Sequence, residues 1–261
     1  MTHDNANAEV LERLINVERK INLMLETQFS ADTFKGHPDQ SFGHISYAQN
    51  GEDLIILNIF QLIGNYRPSY LDIGAHHPTN ISNTALLYRR GSRGINVEAN
   101  PNLIGSFEEQ RPEDTTLNLG VGPQRGKQLF YCIDKWSGRN TFDKQVAEEF
   151  VTQHPKFKID EVMEIEMITI NDLVDNAANG VFPDLLNLDV EGLEYEILKS
   201  ADLSKSKPSL ICVEAVNGPD RDRSVNLMEL LQWRGYKPYA KTVGNIIFVT
   251  AEIERQLWAP A

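Results

Sequence analysis

The sequence is short of cysteine, with only Cys132 and Cys212 among its 261 residues. The two lie far apart in the chain, and Cys212 stands within the apolar run "LICVEAV". Disulfide frameworks and structural zinc sites need several cysteines or histidines at short spacings. The scarcity disfavours both, and we expect the two cysteines to be small buried residues of strands or core.

Positive charge and long apolar runs are also scarce. Lys and Arg number 25 against 37 Asp and Glu, a formal net charge of −12, which disfavours a surface that binds nucleic-acid phosphates. The longest apolar stretches, such as "DLIILNIF", fall well short of a membrane helix, which needs about 20 residues, and the first residues lack a signal-peptide core. We therefore expect a cytoplasmic protein with no membrane span and no nucleic-acid partner.

Residues 1–28 differ in pattern from the rest of the chain. A 4-3-4-3 spacing of apolar residues predicts a helix here, carried by Val10, Leu14, Val17, Ile21 and Met24. The stripe is too short to separate a helix packed on its own domain from a seam between copies, so a homo-oligomer through this helix stays an alternative. Residues 29–45 are interpreted as a linker, and the main domain spans residues 46–255.

From residue 46 onward, apolar strands alternate with helical patterns, which predicts an α/β fold with a parallel sheet covered on both faces. The predicted strands are "SYLDI", "GINVEA", "TTLNLGV", "PDLLNLDV" and "SLICVEAV", and a hairpin of "YKPYAKT" and "NIIFVTA" closes the domain. Such a terminal antiparallel pair is typical of the Rossmann-like class I methyltransferase fold, with its seven-stranded, mostly parallel sheet. This prediction rests on analogy between folds.

The stretch "LDIGAHH" places Asp72 at the end of the first strand and Gly74 two residues later, where the backbone turns and a ligand can come close. His76 and His77 interrupt the G-x-G-x-x-G pattern that a dinucleotide pyrophosphate needs. A cofactor without phosphates needs no such pattern, but its sulfonium favours a nearby carboxylate. The stretch therefore favours S-adenosylmethionine over a nicotinamide cofactor.

Acidic side chains also follow the second and fourth strands. Glu98 in "GINVEANP" stands where an acidic residue accepts hydrogen bonds from both ribose hydroxyls of an adenosine, or else it caps the next helix. In "LLNLDVEGLEYEIL", alternation places Asn187, Asp189 and Glu191 on one face of the extended segment. The carboxyl edge of a parallel sheet binds ligands, so all four are site candidates. Capping of the following helix by Asp189 is the alternative.

Several stretches together resemble the FkbM family of S-adenosylmethionine-dependent methyltransferases, in the same order and over residues 46–250. They are "SYAQNGEDLII", "YLDIGAHHPTNISNT", "GINVEANP", and "DLLNLDVEGLEYEILKS" followed by "SLICVEA". The resemblance implies the seven-stranded fold, S-adenosylmethionine as cofactor, and methylation of an oxygen, usually a hydroxyl of a sugar or a polyketide. Most family members have a small residue or Asn where this chain has His76. This difference predicts that the amino acid portion of the cofactor is bound differently in this chain. The predicted cofactor-binding residues are Gln49, Asp72, Gly74, His76, Glu98, Ala99, Gly120 and Asn187.

A hydroxyl is a poor nucleophile and needs either a base within hydrogen-bonding reach or a metal that lowers its pKa. The candidates for catalysis are Asp189, Glu191 and His77. Oxygen ligands from Asp189, Glu214 and Asn217 could instead hold Mg²⁺. A metal-free base and a Mg²⁺ site therefore both stay open from the sequence.

The segment 122–170 is long for one connection between strands. "KQLFYCI" and "VMEIEMITI" predict extra strands and "DKQVAEEFVTQ" a helix, so we expect an insertion over the active-site edge that recognises the acceptor. Trp136, Arg139 and Asn140 offer a stacking surface and hydrogen-bond donors suited to a sugar ring or an anionic carrier. A surface loop with a half-buried Trp is the alternative.

The sequence as a whole predicts an O-methyltransferase that acts on a sugar, a glycan or a related natural product, with a small-molecule or glycan acceptor. Three alternatives stay open: a non-catalytic cofactor-binding scaffold in polysaccharide assembly, a protein methyltransferase, and a nicotinamide-dependent oxidoreductase. The first predicts cofactor binding without turnover, the second predicts methyl transfer to protein, and the third predicts binding of NAD(P)H.

Overall fold

The computed structural model describes residues 45–190, 192–215 and 221–258. The helix predicted for residues 1–28 and nearly all of the linker predicted for residues 29–45 lie outside this part of the chain. Among the described residues, no helix is both long enough and apolar enough to cross a bilayer.

A seven-stranded sheet forms the centre of the fold. Its strands are β1 (Tyr70–Ile73), β2 (Gly94–Val97), β3 (Thr115–Leu117), β7 (Leu185–Leu188), β8 (Leu210–Glu214), β9 (Tyr236–Lys241) and β10 (Asn245–Thr250). They lie in the order β3-β2-β1-β7-β8-β10-β9, and β10 runs in the direction opposite to that of the other six strands. The predicted seven-stranded, mostly parallel sheet with a closing antiparallel hairpin is confirmed.

Helices cover both faces of this sheet. The helices of the described part of the chain are α1 (Glu52–Leu62), α2 (Ala85–Arg89), α3 (Pro101–Gln110), α4 (Lys144–Gln153), α5 (Ile170–Ala177), α6 (Glu194–Ser200), α7 (Arg221–Trp233) and α8 (Ala251–Leu257), of which α4 belongs to the insertion. No helix was predicted from the sequence for α1, α5 or α8. In α5, the Thr169 hydroxyl accepts a hydrogen bond from the Asp172 amide. A threonine in this position is a common N-cap, so the start of α5 could have been predicted from the sequence.

Alternation along the strands divides the core into two layers, because successive side chains of a strand point to opposite faces. In β7, Leu186 and Leu188 pack in one layer and Leu185 packs in the other. The first layer is closed by α5, α6 and α7, and the second by α1, α2 and α8. Burial on both faces explains why these strands are continuous apolar runs, and it leaves their carboxyl ends as the place where polar residues gather.

The third predicted strand, "TTLNLGV", is divided between two sheets. Its first residues form β3 in the main sheet, whereas β4 (Gly120–Val121) pairs with β6 (Glu161–Ile168) in a second sheet of order β4-β6-β5, where β5 is Gly126–Cys132. The break lies at Asn118, whose side-chain amide donates to the carbonyls of Glu98 and Ala99 at 2.8 and 2.9 Å. The prediction of one continuous strand was therefore wrong, because the chain changes sheets within it.

The insertion contains the strands and the helix predicted for it, namely β5, α4 and β6. β5 and β6 pair antiparallel along their whole length, from Gly126 opposite Met167 to Cys132 opposite Glu161. The small core of this sheet is built on Phe130, Cys132 and Ile165. Both cysteines are buried and free, as the sequence predicted.

Candidate active site

A pocket of about 340 Å³ lies at the carboxyl ends of β1, β2, β7 and β8, and residues 137–142 of the insertion form part of its wall. This volume falls within the range of small-molecule sites. The crevice outside the carboxyl ends of parallel strands is the usual ligand site of open α/β sheets. All the residues predicted to bind the cofactor contribute to the lining: Gln49, Asp72, Gly74, His76, Glu98, Ala99, Gly120 and Asn187.

Asp72 and Asn187 form the floor of the pocket. They are directly opposite each other in the paired strands β1 and β7, and the Asn187 amide donates to Asp72 Oδ1 at 2.8 Å. Asp72 also accepts a hydrogen bond from the Thr84 hydroxyl, and only 2% of its surface is exposed. Burial raises the pKa of Asp72, while Thr84 and the Arg111 guanidinium act in the opposite direction.

Arg111 follows α3 and is buried behind this floor, with 1% of its surface exposed. Its guanidinium donates to the carbonyl of Pro78 and to the hydroxyls of Ser82 and Thr84, the last two at 2.8 and 2.9 Å. The planar fork of an arginine can hold several acceptors in fixed positions. It thereby fixes the segment between β1 and α2, which forms one side of the pocket. Arg111 lies outside every motif of the sequence and was therefore not predicted to belong to the site.

Gly74 has a φ of 77°, so the sharp turn predicted after β1 is present. The sequence predicted that a glycine is needed here because a ligand comes close. In the structure, the atoms nearest to Gly74 belong instead to the main chain of another segment. A Cβ on Gly74 would lie 1.7 Å from the carbonyl oxygen of Asp189. His76 and Ile81, further along the same segment, also have positive φ, at 52° and 53°, which is rare for residues with side chains.

Glu98 lies at the end of β2 with 8% of its surface exposed. One carboxylate oxygen accepts from the His76 amide at 2.8 Å, and the other accepts from the Asn100 amide at 2.7 Å. Burial raises the pKa of Glu98 to about 7, although both backbone hydrogen bonds favour the charged form. The N-cap of α3 is Asn100, whose side chain accepts from the Asn102 amide. The alternative in which Glu98 itself caps that helix is therefore not the arrangement found.

The two histidines differ in position. His76 lines the pocket, and a Cβ on Gly138 of the insertion would lie 3.8 Å from its ring. His77 is not among the residues that line the pocket. Its Nδ1 accepts from the amides of Thr79 and Asn80 at 3.1 and 3.0 Å, and burial lowers the pKa of its ring. These contacts place His77 in the turn after β1. Its ring centre lies 6.4 Å from that of His76, but His77 itself is outside the pocket lining.

Three carboxylates meet at the ends of β7 and β8. Asp189, Glu194 and Glu214 each have an oxygen within 4.8 Å of the others. Asp189 and Glu214 were predicted to lie together, but Glu194 was not predicted to join them. Its carboxylate accepts hydrogen bonds from the amides of Val190 and Gly192 at 2.9 and 3.0 Å. Oxygen donors of this kind suit a hard divalent cation, but exposed acidic groups commonly cluster without one. The other two candidates, Glu191 and Asn217, lie outside the described residues.

Gly120 occupies a place where a side chain would clash. A Cβ there would lie 2.3 Å from the Met167 sulfur and 2.8 Å from the Phe142 ring. The absence of a side chain lets the second sheet pack closely beside the pocket. Gly120 was predicted to lie near the cofactor at the end of the third strand, and it lines the pocket. The contacts that require a glycine there come from Phe142 and Met167, further along the chain.

Three residues of the insertion were predicted to bind the methyl acceptor, and two of them lie in the pocket wall. Arg139 and Asn140 line the pocket, whereas Trp136 is 64% exposed and is not part of the lining. Asn140 is buried and shapes its own loop, accepting from the Ile133 amide at 2.9 Å and donating to the Asp134 carbonyl at 3.0 Å. Arg139 is therefore the member of the three that is both exposed and directed to the pocket wall.

This sheet order, with one antiparallel strand and acidic residues at the ends of β1 and β2, is the architecture of the Rossmann-like methyltransferases. The family model described as the methyltransferase FkbM domain matches residues 72–238. The chain therefore belongs to the FkbM family of S-adenosylmethionine-dependent methyltransferases, and the resemblance found in the sequence is confirmed.

Solved structures of methyltransferases match the chain at low identity and low TM-score. A methyltransferase FkbM from Methylobacillus flagellatus KT is 16% identical with a TM-score of 0.42, and the match covers 70% of this chain and 43% of that protein. The magnesium protoporphyrin IX methyltransferase ChlM of Synechocystis PCC 6803, solved with bound S-adenosylmethionine, is 10% identical with a TM-score of 0.38, over 86% and 97% of the two chains. No curated protein matches the sequence. The family match, and not these structures, supports the assignment.

Proposed function

We propose that the protein transfers a methyl group from S-adenosylmethionine to a hydroxyl of a sugar, a glycan or a related natural product. The observation that carries the proposal is the set of carboxylates in one pocket. Glu98 lies at the end of β2 and Asp189 directly after β7, and both line the same cavity. A carboxylate in the first position suits an adenosine ribose, and one in the second suits a proton acceptor.

The residues of the pocket fit the proposed cofactor. When bound, S-adenosylmethionine supplies an electrophilic methyl group on a positively charged sulfur. The four carboxylates of the lining, Asp72, Glu98, Asp189 and Glu214, make the pocket favourable to that charge. Glu98 has two oxygens already oriented by backbone amides, and their remaining lone pairs can accept from the ribose hydroxyls.

In the proposed reaction, Asp189 accepts the proton of the acceptor hydroxyl as the oxygen forms its new bond to carbon and the bond from carbon to sulfur breaks. Asp189 is half-buried, and its amide donates to the Ile73 carbonyl at 3.0 Å, which fixes its main chain against β1. A positioned base of this kind contributes roughly 10²- to 10⁴-fold to a rate. Alignment of the acceptor by the pocket wall supplies a further part of the acceleration.

A dependence on Mg²⁺ is the alternative to a metal-free base. Asp189, Glu194 and Glu214 would then hold the cation, which would lower the pKa of the acceptor hydroxyl. We propose the metal-free route, because transfer of the proton to Asp189 alone suffices for the reaction.

The proposal is tested by isothermal titration of the protein with S-adenosylhomocysteine, in EDTA and in Mg²⁺, followed by methyl-transfer assays on a panel of sugars and glycans. We expect binding at micromolar concentration in both buffers, at least a tenfold loss of affinity in Glu98→Ala, and transfer to a hydroxyl acceptor in EDTA. Transfer only with Mg²⁺ would favour the metal alternative. Binding without transfer to any acceptor would favour the scaffold, whereas binding of NAD(P)H in place of S-adenosylhomocysteine would contradict the proposed cofactor.

A further inference from the structure

The pocket wall contains more acidic than basic side chains. Four carboxylates line it, whereas Arg139 contributes the sole Lys or Arg side chain among the described lining residues. The carboxylates suit the positive sulfonium of the proposed cofactor, but a guanidinium near that sulfonium would be repelled by it. Arg139 is also exposed, while Asp72 and Glu98 are buried at the base of the pocket. It therefore lies on the solvent side, where an acceptor has to enter.

The Arg139 guanidinium is held by aromatic rings instead of a carboxylate. It lies 5.6 Å from the ring centre of Phe150 in α4 and 5.9 Å from that of Phe157, within the range of cation–π contacts. Within the described part of the chain, no carboxylate lies within ion-pair distance of it, although Lys144 and Lys158 of the same insertion are paired with Glu148 and Asp160. The side chain is positioned, yet its charge is not neutralised.

A second cation lies on the same aromatic pair. The Lys156 ammonium is 5.3 Å from the ring centre of Phe157, and the two phenylalanine rings are themselves 5.4 Å apart. Two positive groups are thus held around one aromatic surface in a chain whose net charge is −12. A second positive charge on the same rings raises the positive potential around Arg139, which favours an anion.

We infer that the acceptor is an anionic sugar, whose phosphate or carboxylate group is bound by Arg139 at the entrance of the pocket, with Lys156 adding to the attraction. The inference rests on the proposed function and names its substrate class. The planar guanidinium presents paired N–H donors that match the oxygens of a phosphate or a carboxylate. A neutral sugar would gain little from that charge, so Arg139 acts as a specificity-determining residue for the acceptor.

The experiment measures binding of three probes by calorimetry at saturating S-adenosylhomocysteine: glucose 1-phosphate, glucuronic acid and neutral glucose. We expect at least one of the two anionic probes to bind at least tenfold more tightly than glucose. Arg139→Gln should abolish that preference and leave the Kd of S-adenosylhomocysteine unchanged. Lys127→Gln is the matched control, because Lys127 belongs to the same insertion, is paired with Glu164 and does not line the pocket. It should bind as the wild type does.

The outcomes separate the inference from the function on which it rests. Tighter binding of glucose 1-phosphate identifies a phosphate acceptor, and tighter binding of glucuronic acid a carboxylate acceptor. Equal binding of all three probes by a protein that binds S-adenosylhomocysteine would overturn the inference alone. A loss of S-adenosylhomocysteine affinity in Arg139→Gln, with unchanged affinity for methylthioadenosine, would also overturn it, because Arg139 would then bind the cofactor carboxylate. Failure of the wild type to bind S-adenosylhomocysteine would overturn the proposed function first.

Discussion

Gly74 and Asp189 are in direct main-chain contact, so closely that a Cβ on Gly74 would lie 1.7 Å from the Asp189 carbonyl oxygen. The two residues follow the paired strands β1 and β7, and the Asp189 amide donates to the Ile73 carbonyl at 3.0 Å. Two motifs that are more than a hundred residues apart therefore form one unit. The glycine makes it possible for the proposed base to stand at the edge of the cofactor pocket.

Replacement of Gly74 by Ala should destabilise the protein by about 2 kcal/mol or more, because the added Cβ combines a clash with positive-φ strain. Gly64→Ala is the matched control. Gly64 has the same φ of 77°, but no heavy atom lies within 4 Å of an added Cβ. Urea unfolding of both variants separates the two contributions. Equal losses of stability would mean that the Asp189 contact contributes nothing.

Arg111→Met should destabilise the protein by about 3–5 kcal/mol, because it leaves buried carboxylates without their cation. Asp114 lies 3.9 Å from the guanidinium, and both side chains are almost completely buried. The affinity for S-adenosylhomocysteine should also fall, since the segment between β1 and α2 loses its support.

Arg93→Met serves as the control for Arg111→Met, because the Arg93–Glu113 pair is exposed and such pairs contribute about 1 kcal/mol or less. Chemical unfolding at neutral pH gives both values. A loss in Arg111→Met no larger than that in the control would contradict the role assigned to this buried arginine.

The stability contributed by Glu98 should depend on pH. Burial raises the pKa of Glu98 to about 7 in the folded protein, whereas a glutamate in an unfolded chain has a pKa of about 4.3. Between these values the folded state binds more protons than the unfolded state, so stability falls as the pH rises and becomes constant above about 7. Glu98→Gln should not show this fall.

Urea unfolding of wild type, Glu98→Gln and the exposed-site control Glu164→Gln, over a range from about pH 5 to 8, measures the effect. Binding of S-adenosylhomocysteine should strengthen as Glu98 ionises, because its carboxylate then has both oxygens free of a proton to accept the ribose hydroxyls. A constant difference in stability between wild type and Glu98→Gln across this range would show that the pKa of Glu98 is not raised.

Asp189→Asn should lower the rate of methyl transfer by roughly 10²- to 10⁴-fold if the carboxylate is the base. The affinity for S-adenosylhomocysteine should change little, because an amide keeps the size of the side chain. Glu196→Gln is a suitable control, since Glu196 is exposed on α6 and does not line the pocket. Full turnover in Asp189→Asn, measured on the acceptor that the panel identifies, would remove the base role.

Much of the fold and part of the site could be predicted from local pattern. The apolar runs of β1, β7 and β8 predict the strands because both faces are buried. Polar residues mark the ligand-binding edge, namely Asp72 near the end of β1, Glu98 after β2 and Asp189 after β7. The splitting of "TTLNLGV" could not be predicted, because the pairing of Gly120 with Met167 depends on a partner strand far along the chain. Arg111 was missed for a similar reason, since its acceptors lie outside its own segment. Glu194 lies within the quoted stretch and accepts from its own neighbours, but its place beside Glu214 depends on the next strand.

By itself, the sequence determined the strand periodicity, the order of the elements and the acidic residues that end the strands. These follow from side-chain alternation and from the cost of placing polar groups inside a buried sheet. The tertiary structure alone decided which of these residues meet: Asn187 on Asp72, Glu214 beside Asp189, and Arg111 behind the floor of the pocket. Such contacts join segments far apart in the chain, and their geometry is set by packing between layers, which local pattern does not contain.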